Sequence, residues 1–524
     1  MIDKIIKDRV QSLSLEEKIG QMIGLAFFGT TYNDELRMQV EELKAGLIIY
    51  FKDNVQNPKQ VFELNQKINQ HAKIAPFIAL DQEGGMVARV TEGIVQSPGA
   101  MAIGATNNLE YAYKLAFNMG KELRYLGFNF NFAPVGDINN NPKNPVINVR
   151  SYSEIPTKVT NFVVQATQGY HDAGLMTSIK HFPGHGDTSV DSHIGLPKVD
   201  FDAKRLYEVE LLPFIKAKEL NLPGIMASHV MFTTFDDIYP TTLSNKIITG
   251  LLREEIGYDG LVVTDSLTMS AVFANFSLEE IVLYGFNSGC DMLLLCGARD
   301  IKMQREFFDI ALRLAKEGKI PLNLIDNSVG RILRYKELYR VGFMPPTFDA
   351  IKEELNQKDA VNFSKQVSLE SITLIQDVQN LIPVKETEKT LIVFPKIKVV
   401  TLVEDPQKGL NSLQDYMSFC DKIYLSISPT IDEKNVLLNM VENYDKIIYC
   451  SYNACFNETQ ANLINEIDVK KLIVVALRTP YDLQVIKPGL TYLTTYEATP
   501  LSLESVSKIL TGKYQPKGKI PVTI

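Results

Sequence analysis

The sequence predicts a (β/α)8 TIM-type barrel followed by a smaller α/β domain built on an open parallel sheet. Three observations carry that expectation. Eight short apolar runs alternate with longer stretches of helical period over roughly the first 340 of 524 residues. Polar residues follow several of these runs directly, as they would if gathered at one mouth of a barrel. Paired prolines then break the chain, and a second alternation of β-rich and helical stretches begins.

The runs are Ile19 to Phe27, Gly46 to Phe51, Pro76 to Leu80, Phe128 to Pro134, Leu175 to Ile179, Gly224 to Ala227, Gly260 to Thr264 and Asp291 to Leu295. Asp81-Gln82-Glu83-Gly84-Gly85 follows the third, Gly136-Asp137 the fourth, Lys180-His181 the fifth, Ser228-His229 the sixth and Asp265-Ser266 the seventh. The barrel is expected over 1–340. Pro345 and Pro346 end the helix that contains Arg331 to Tyr339 and force an extended connection, so a linker and connecting helix are expected over 341–360. The C-terminal α/β domain follows over 361–524, helical through Leu369 and then with β-rich runs at Thr390 to Phe394, Lys422 to Ile427, Lys446 to Ser451 and Lys471 to Ala476. No GxGxxG follows any of these runs, so nothing favours nucleotide binding there.

Composition narrows the partners. A formal net charge of -8 argues against nucleic acid. The N-terminus mixes Asp3, Lys4, Lys7 and Asp8 into its apolar residues, which predicts neither a secretory signal nor a membrane role and points to the cytoplasm. Five scattered cysteines form no CxxC pair, as expected of reduced, buried thiols rather than a disulfide frame.

Three of the six histidines, His181, His185 and His193, fall within thirteen residues, interleaved with Asp187, Asp191 and glycines. Histidine titrates near neutrality and glycine frees the backbone, so the stretch reads as a mobile carrier of an acid/base group. Asp265, directly after Val262-Val263-Thr264, reads either as a rigidly held carboxylate or as a turn residue capping a helix.

The segment Lys180-His181-Phe182-Pro183-Gly184-His185-Gly186, with Asp191-Ser192-His193 and Leu196-Pro197, resembles the signature of family 3 glycoside hydrolases, in their β-N-acetylglucosaminidase branch. Further similar segments stand in the family's order: Asp81 to Gly85 with Arg89, Asn131 to Asp137, Val149 to Tyr152, Gly260 to Met269, Glu370 to Ile375, Leu381 to Pro383 and Gly518 to Thr523. Together they span essentially the whole chain. The resemblance implies that Asp265 is the nucleophile of a retaining mechanism and that His193, oriented by Asp191, is the acid/base. A carboxylate on one ring nitrogen fixes the tautomer and leaves the other to pass the proton. It further implies that Asp81, Arg89, Arg150, Lys180 and His181 grip the sugar; the two arginines also read as ordinary barrel-mouth ion pairs.

The resemblance implies an exo-acting β-N-acetylglucosaminidase (β-N-acetylhexosaminidase) taking small carbohydrate substrates, such as muropeptide fragments in cell-wall recycling, with no cofactor and no metal. The alternatives are a phosphorylase, in which phosphate intercepts the same intermediate, and β-glucosidase-type specificity. A metallohydrolase using the clustered histidines and aspartates is disfavoured by their arrangement, and a noncatalytic sugar-binding protein by the presence of all three catalytic residues. One departure stands out: Met86 replaces an arginine common in the family, which predicts an altered leaving-group side. With no tryptophan for stacking, a short pocket is expected rather than a long cleft.

Overall fold

The computed structural model describes residues 2–189, 191–192, 195–297, 299–397, 404 and 412–524. Its larger sheet has nine parallel strands in the order Met176–Thr177, Phe130–Asn131, Phe77–Leu80, Leu47–Tyr50, Ile23–Ala26, Met292–Leu295, Leu261–Ser266, Gly224–Ala227 and Ile179–Phe182. The first and last of these are consecutive in the chain. The fifth predicted run is therefore one strand broken at Ser178, whose first half pairs with the fourth strand and whose second half pairs with the sixth. That single stretch closes the sheet into the expected barrel, helped by a bridge from Val135 to Lys180.

The strands read as unbroken apolar runs because helices cover them outside and other side chains fill the interior. Helices such as Pro58–His71, Leu109–Tyr125, Pro156–Asp172 and Ile301–Lys316 form the outer layer. Two predicted runs were too long. Ile19 belongs to the helix Leu15–Gln21, and of Phe128 to Pro134 only Phe130–Asn131 is strand. Buried apolar residues at a helix end look like strand when periodicity is the only guide.

Helix Lys358–Ser371 leads into the second domain, a six-stranded sheet ordered Thr373–Asp377, Thr491–Thr494, Leu472–Ala476, Lys446–Ser451, Thr390–Lys396 and Asp421–Ser426. Five strands are parallel, in the 2-1-3-4-5 order of flavodoxin-like folds. The sixth, Thr373–Asp377, pairs antiparallel with Thr491–Thr494, so the expected open parallel sheet gains an antiparallel edge. Those two strands escaped the sequence reading because each holds only two consecutive apolar residues, Leu374-Ile375 and Tyr492-Leu493, between polar ones. All five cysteines are free, four of them buried. No described helix is long and apolar enough to cross a membrane.

The sheets meet through side chains that the barrel contributes to the second core. Met86 is buried with Ile372, Leu493 and Ala498, and its sulfur accepts the Ala498 amide at 3.2 Å. The residue expected to shape the leaving-group side instead faces the second domain. Beside it Glu497 accepts the Gly99 amide at 2.6 Å and the Thr499 hydroxyl at 2.9 Å. A Cβ on Gly85 would lie 2.6 Å from that carboxylate, and Gly85 has a φ of +57°, so only glycine fits.

Burial lifts the Glu497 pKa to about 7. A carboxyl raised in the folded state stabilises fully below its unfolded pKa and loses that contribution as pH rises through the folded one. Glu497→Gln should therefore be more stable than the parent at pH 8, by on the order of 2 kcal/mol. The gap should close as the pH falls from 7 to 4.5, the window between the two pKa values. Thermal melts of both proteins across pH 4 to 8 measure it.

Candidate active site

The carboxyl ends of the barrel strands open into a cavity of about 980 Å³. Six residues singled out from the sequence line it together: Asp81, Arg89, Arg150, Lys180, His181 and Asp265. Asp191 is buried, 8% exposed, and its neighbour Ser192 lines the cavity. His193 lies outside the described residues.

Two register shifts aim these groups. Met226 pairs with Lys180 and Ala227 with Phe182, which leaves His181 as an extra residue, so Lys180 and His181 both line the cavity although adjacent in sequence. A second shift falls between Val263 and Ser266, where Thr264 and Asp265 stand opposite the single residue Leu293 of the eighth strand. Asp265 Oδ1 accepts the amide of Ser266 at 2.7 Å. Behind it the Ser266 hydroxyl accepts the amides of Cys296 and Gly297 at 3.2 and 3.0 Å, tying the seventh strand end to the eighth. His229 supports the same corner from below, one ring nitrogen 2.7 Å from the Ser266 carbonyl and the other 2.8 Å from Thr242 Oγ1.

Opposite runs a chain of ion pairs. The Lys180 ammonium stands 2.7 Å from both Asp81 Oδ1 and Glu83 Oε1. Arg150 grips Glu83 with two nitrogens at 2.7 and 2.9 Å, and Arg89 meets Asp81 Oδ2 at 3.1 Å. Burial alone would raise the Asp81 pKa, but Lys180 and Arg89 outweigh it and hold the carboxyl well below the usual carboxylate range. At Glu83 the same opposition, won by Arg150 and Lys180, brings the pKa down to about 2. Both stay ionised at any working pH, so the cluster carries fixed charges.

Asp137 organises the histidine stretch. Its Oδ2 is 2.7 Å from His181 Nδ1, while Oδ1 accepts the amides of His181 and His185 at 3.1 and 2.7 Å. His181 Nε2 is thereby the nitrogen left for the cavity. His185 bridges Thr188 and Ser192 hydroxyls through its two ring nitrogens at 2.8 and 3.0 Å. Burial, aided by nearby His181, lowers its pKa to about 4, so it stays neutral above pH 5. The glycines expected to make this loop mobile serve close packing: a Cβ on Gly186 would lie 1.6 Å from the Ile138 carbonyl oxygen, and one on Gly184 2.9 Å from Glu210.

Three residues had no role assigned from the sequence: Glu83 and Asp137, which hold the cavity residues Arg150 and His181, and Ser192, which lines the cavity itself. Arg299, which also lines the cavity, pairs with Asp53 at 2.6 Å and lies between the rings of Phe28 and Phe51. Acidic residues after strands 3 and 4 were the available signal for Glu83 and Asp137; nothing local marks Arg299. No group of three or more His, Cys, Asp or Glu among the described residues is arranged to hold a metal ion.

Residues 14–335 match the glycosyl hydrolase family 3 N terminal domain. The chain belongs to that family. It is 29% identical to Beta-hexosaminidase A of Pseudoalteromonas piscicida, over 94% of this chain and 92% of that one. A Beta-hexosaminidase of Alkalilimnicola ehrlichii is 35% identical over 52% of this chain and 80% of its own length. Among solved structures, a family 3 beta-N-acetylglucosaminidase from a Paenibacillus species superposes with a TM-score of 0.92 at 34% identity, covering 98% of this chain and 99% of that one.

The ionic chain makes a stability prediction. Glu83→Gln leaves Lys180 and Arg150 without their shared anion and should cost about 3 kcal/mol. Asp53→Asn, at a carboxylate 47% exposed, should cost less than about 1 kcal/mol. Because the Glu83 pKa is lowered from 4.5 to about 2, the loss at position 83 should be full above pH 4.5 and fade as the pH falls toward 2. Denaturant unfolding at pH 7 and pH 3 checks both statements.

Proposed function

We propose that this family 3 enzyme is a retaining exo-β-N-acetylglucosaminidase. The observation that carries the reading is the cavity lined both by a carboxylate on the seventh strand, Asp265, and by Asp81, Lys180 and Arg150, whose charges are fixed by one another and by Glu83 behind them. The relatives named above, two hexosaminidases and an N-acetylglucosaminidase, supply the sugar.

In this reading Asp265 attacks the anomeric carbon as the glycosidic C–O bond breaks, and the departing oxygen takes a proton from the His193 imidazolium. A covalent glycosyl-aspartate remains. Neutral His193 then takes a proton from water, whose oxygen bonds to the same carbon and releases Asp265, giving retention of configuration. Asp191 orients the imidazole. Asp81, Arg89, Arg150, Lys180 and His181 hold the hydroxyls of the terminal sugar. The walls available for its apolar face are Phe51, Phe132 and Met226, all lining the cavity. The expected substrates are muropeptide fragments ending in β-linked N-acetylglucosamine, cleaved in the cytoplasm during cell-wall recycling.

Three measurements test this. Asp265→Ala should lose at least about 1,000-fold in kcat, and a slow 2-fluoro glycoside should leave a covalent adduct on Asp265 in the parent enzyme. His193→Ala should lose about 100-fold or more with a poor leaving group and far less with dinitrophenolate; equal losses would remove the acid/base role. A panel of aryl β-glycosides varied at the 2-position, run with and without millimolar phosphate, should favour N-acetylglucosamine and release free sugar in both conditions. Sugar 1-phosphate as the product would make the enzyme a phosphorylase, and preference for glucose would move it to β-glucosidase specificity.

A further inference from the structure

The loop after the fourth strand is the mooring of the acid/base loop. Asp137 takes the His185 amide, and Asn144 Nδ2 donates to the carbonyls of His185 and Gly186 at 2.8 and 3.0 Å. Gly186 lies against the Ile138 carbonyl. The mooring is itself tied together, since Ser151 Oγ donates to the Asp137 carbonyl at 2.6 Å and the Asn139 amide to the Ser153 carbonyl at 3.1 Å. It also carries Val146, Ile147 and Arg150 into the cavity.

This mooring is gripped from outside the barrel. Tyr481, in the segment Pro480–Val485 after a strand of the second sheet, is 1% exposed, and its hydroxyl accepts Asn139 Nδ2 at 2.9 Å. Its ring packs in one cluster with Val149, Met101 and Tyr496. Ser153 Oγ donates to the Pro521 carbonyl at 2.6 Å. A buried aromatic ring thus packs in one cluster with the residue before Arg150 while its hydroxyl holds the residue two positions beyond Asp137.

We propose that Tyr481 is a positioning residue through which the second domain holds the acid/base loop in register with the nucleophile. The proposal rests on the reading of Asp191 and His193 as the proton-transfer pair. Holding the loop matters at the step where a proton must meet the departing oxygen, because an angstrom of misplacement costs far more there than in binding.

The test is Tyr481→Phe in the full-length chain, which removes one oxygen and keeps the ring. With a poor leaving group such as phenol, kcat/KM should fall about tenfold; with dinitrophenolate, whose departure needs no proton, it should change less than about twofold. In a His193→Ala background Tyr481→Phe should then have no further effect on either substrate. A purely structural tyrosine would depress both substrates alike and would still do so without His193, and either result overturns the proposal. If His193→Ala itself shows no leaving-group contrast, the proton-transfer reading falls and this proposal with it. If instead that contrast is present and Tyr481→Phe lacks one, only the positioning role is refuted. Should Tyr481→Phe not fold, Asn139→Ala breaks the same bond from the barrel side and is judged by the same outcomes.

Discussion

The Lys180 ammonium, buried between Asp81 and Glu83, is the interaction on which the site depends. It stands on the strand that closes the barrel, and its two carboxylate partners come from the turn after the third strand. One cation therefore fixes the distance between two elements and, through Glu83 and Asp81, the placement of Arg150 and Arg89. Burying five charges is unfavourable unless each meets its opposite at hydrogen-bond distance. Here the pairs are satisfied in a continuous chain, so the arrangement is held as a unit, and rigid charge of this kind stabilises a polar substrate without reorganising.

Much of the barrel was legible because parallel strands covered on both sides leave an uninterrupted apolar signature, and because strand-end polar residues mark one mouth. Asp81, Lys180 and Asp265 stood out for that reason. What periodicity could not reveal were the two register shifts that turn His181 and Asp265 toward the cavity, since a bulge is a property of two paired strands and not of either sequence. Glu83 and Asp137 were visible as letters but not as partners, because their contacts are 67 to 97 and 44 to 48 positions away along the chain. The antiparallel edge of the second sheet was hidden for the opposite reason: Thr373–Asp377 is too polar to announce itself.

The same contrast explains Met86 and the loop glycines. The sequence places Met86 between Asp81 and Arg89, yet the tight turn at Gly84 and Gly85, both with positive φ, directs it away from the cavity and into the other domain's core. Gly184 and Gly186 suggest freedom of movement, yet both are where they are because a backbone or side chain passes too close for a Cβ. Small residues near a site mark contact as often as they mark motion, and only the neighbour's coordinates tell the two apart.

The interruption at Ser178 carries a consequence for how this chain can vary over time. The stretch is held by the fourth strand on one side of the break and by the sixth on the other, so a change in length there shifts its register against both. Losing or gaining one residue there would rotate everything downstream by half a pleat, turning Lys180 outward and dissolving the charge chain in a single event. Insertions that the lineage tolerates should accumulate in the connections beyond the helices, while this short span keeps its count.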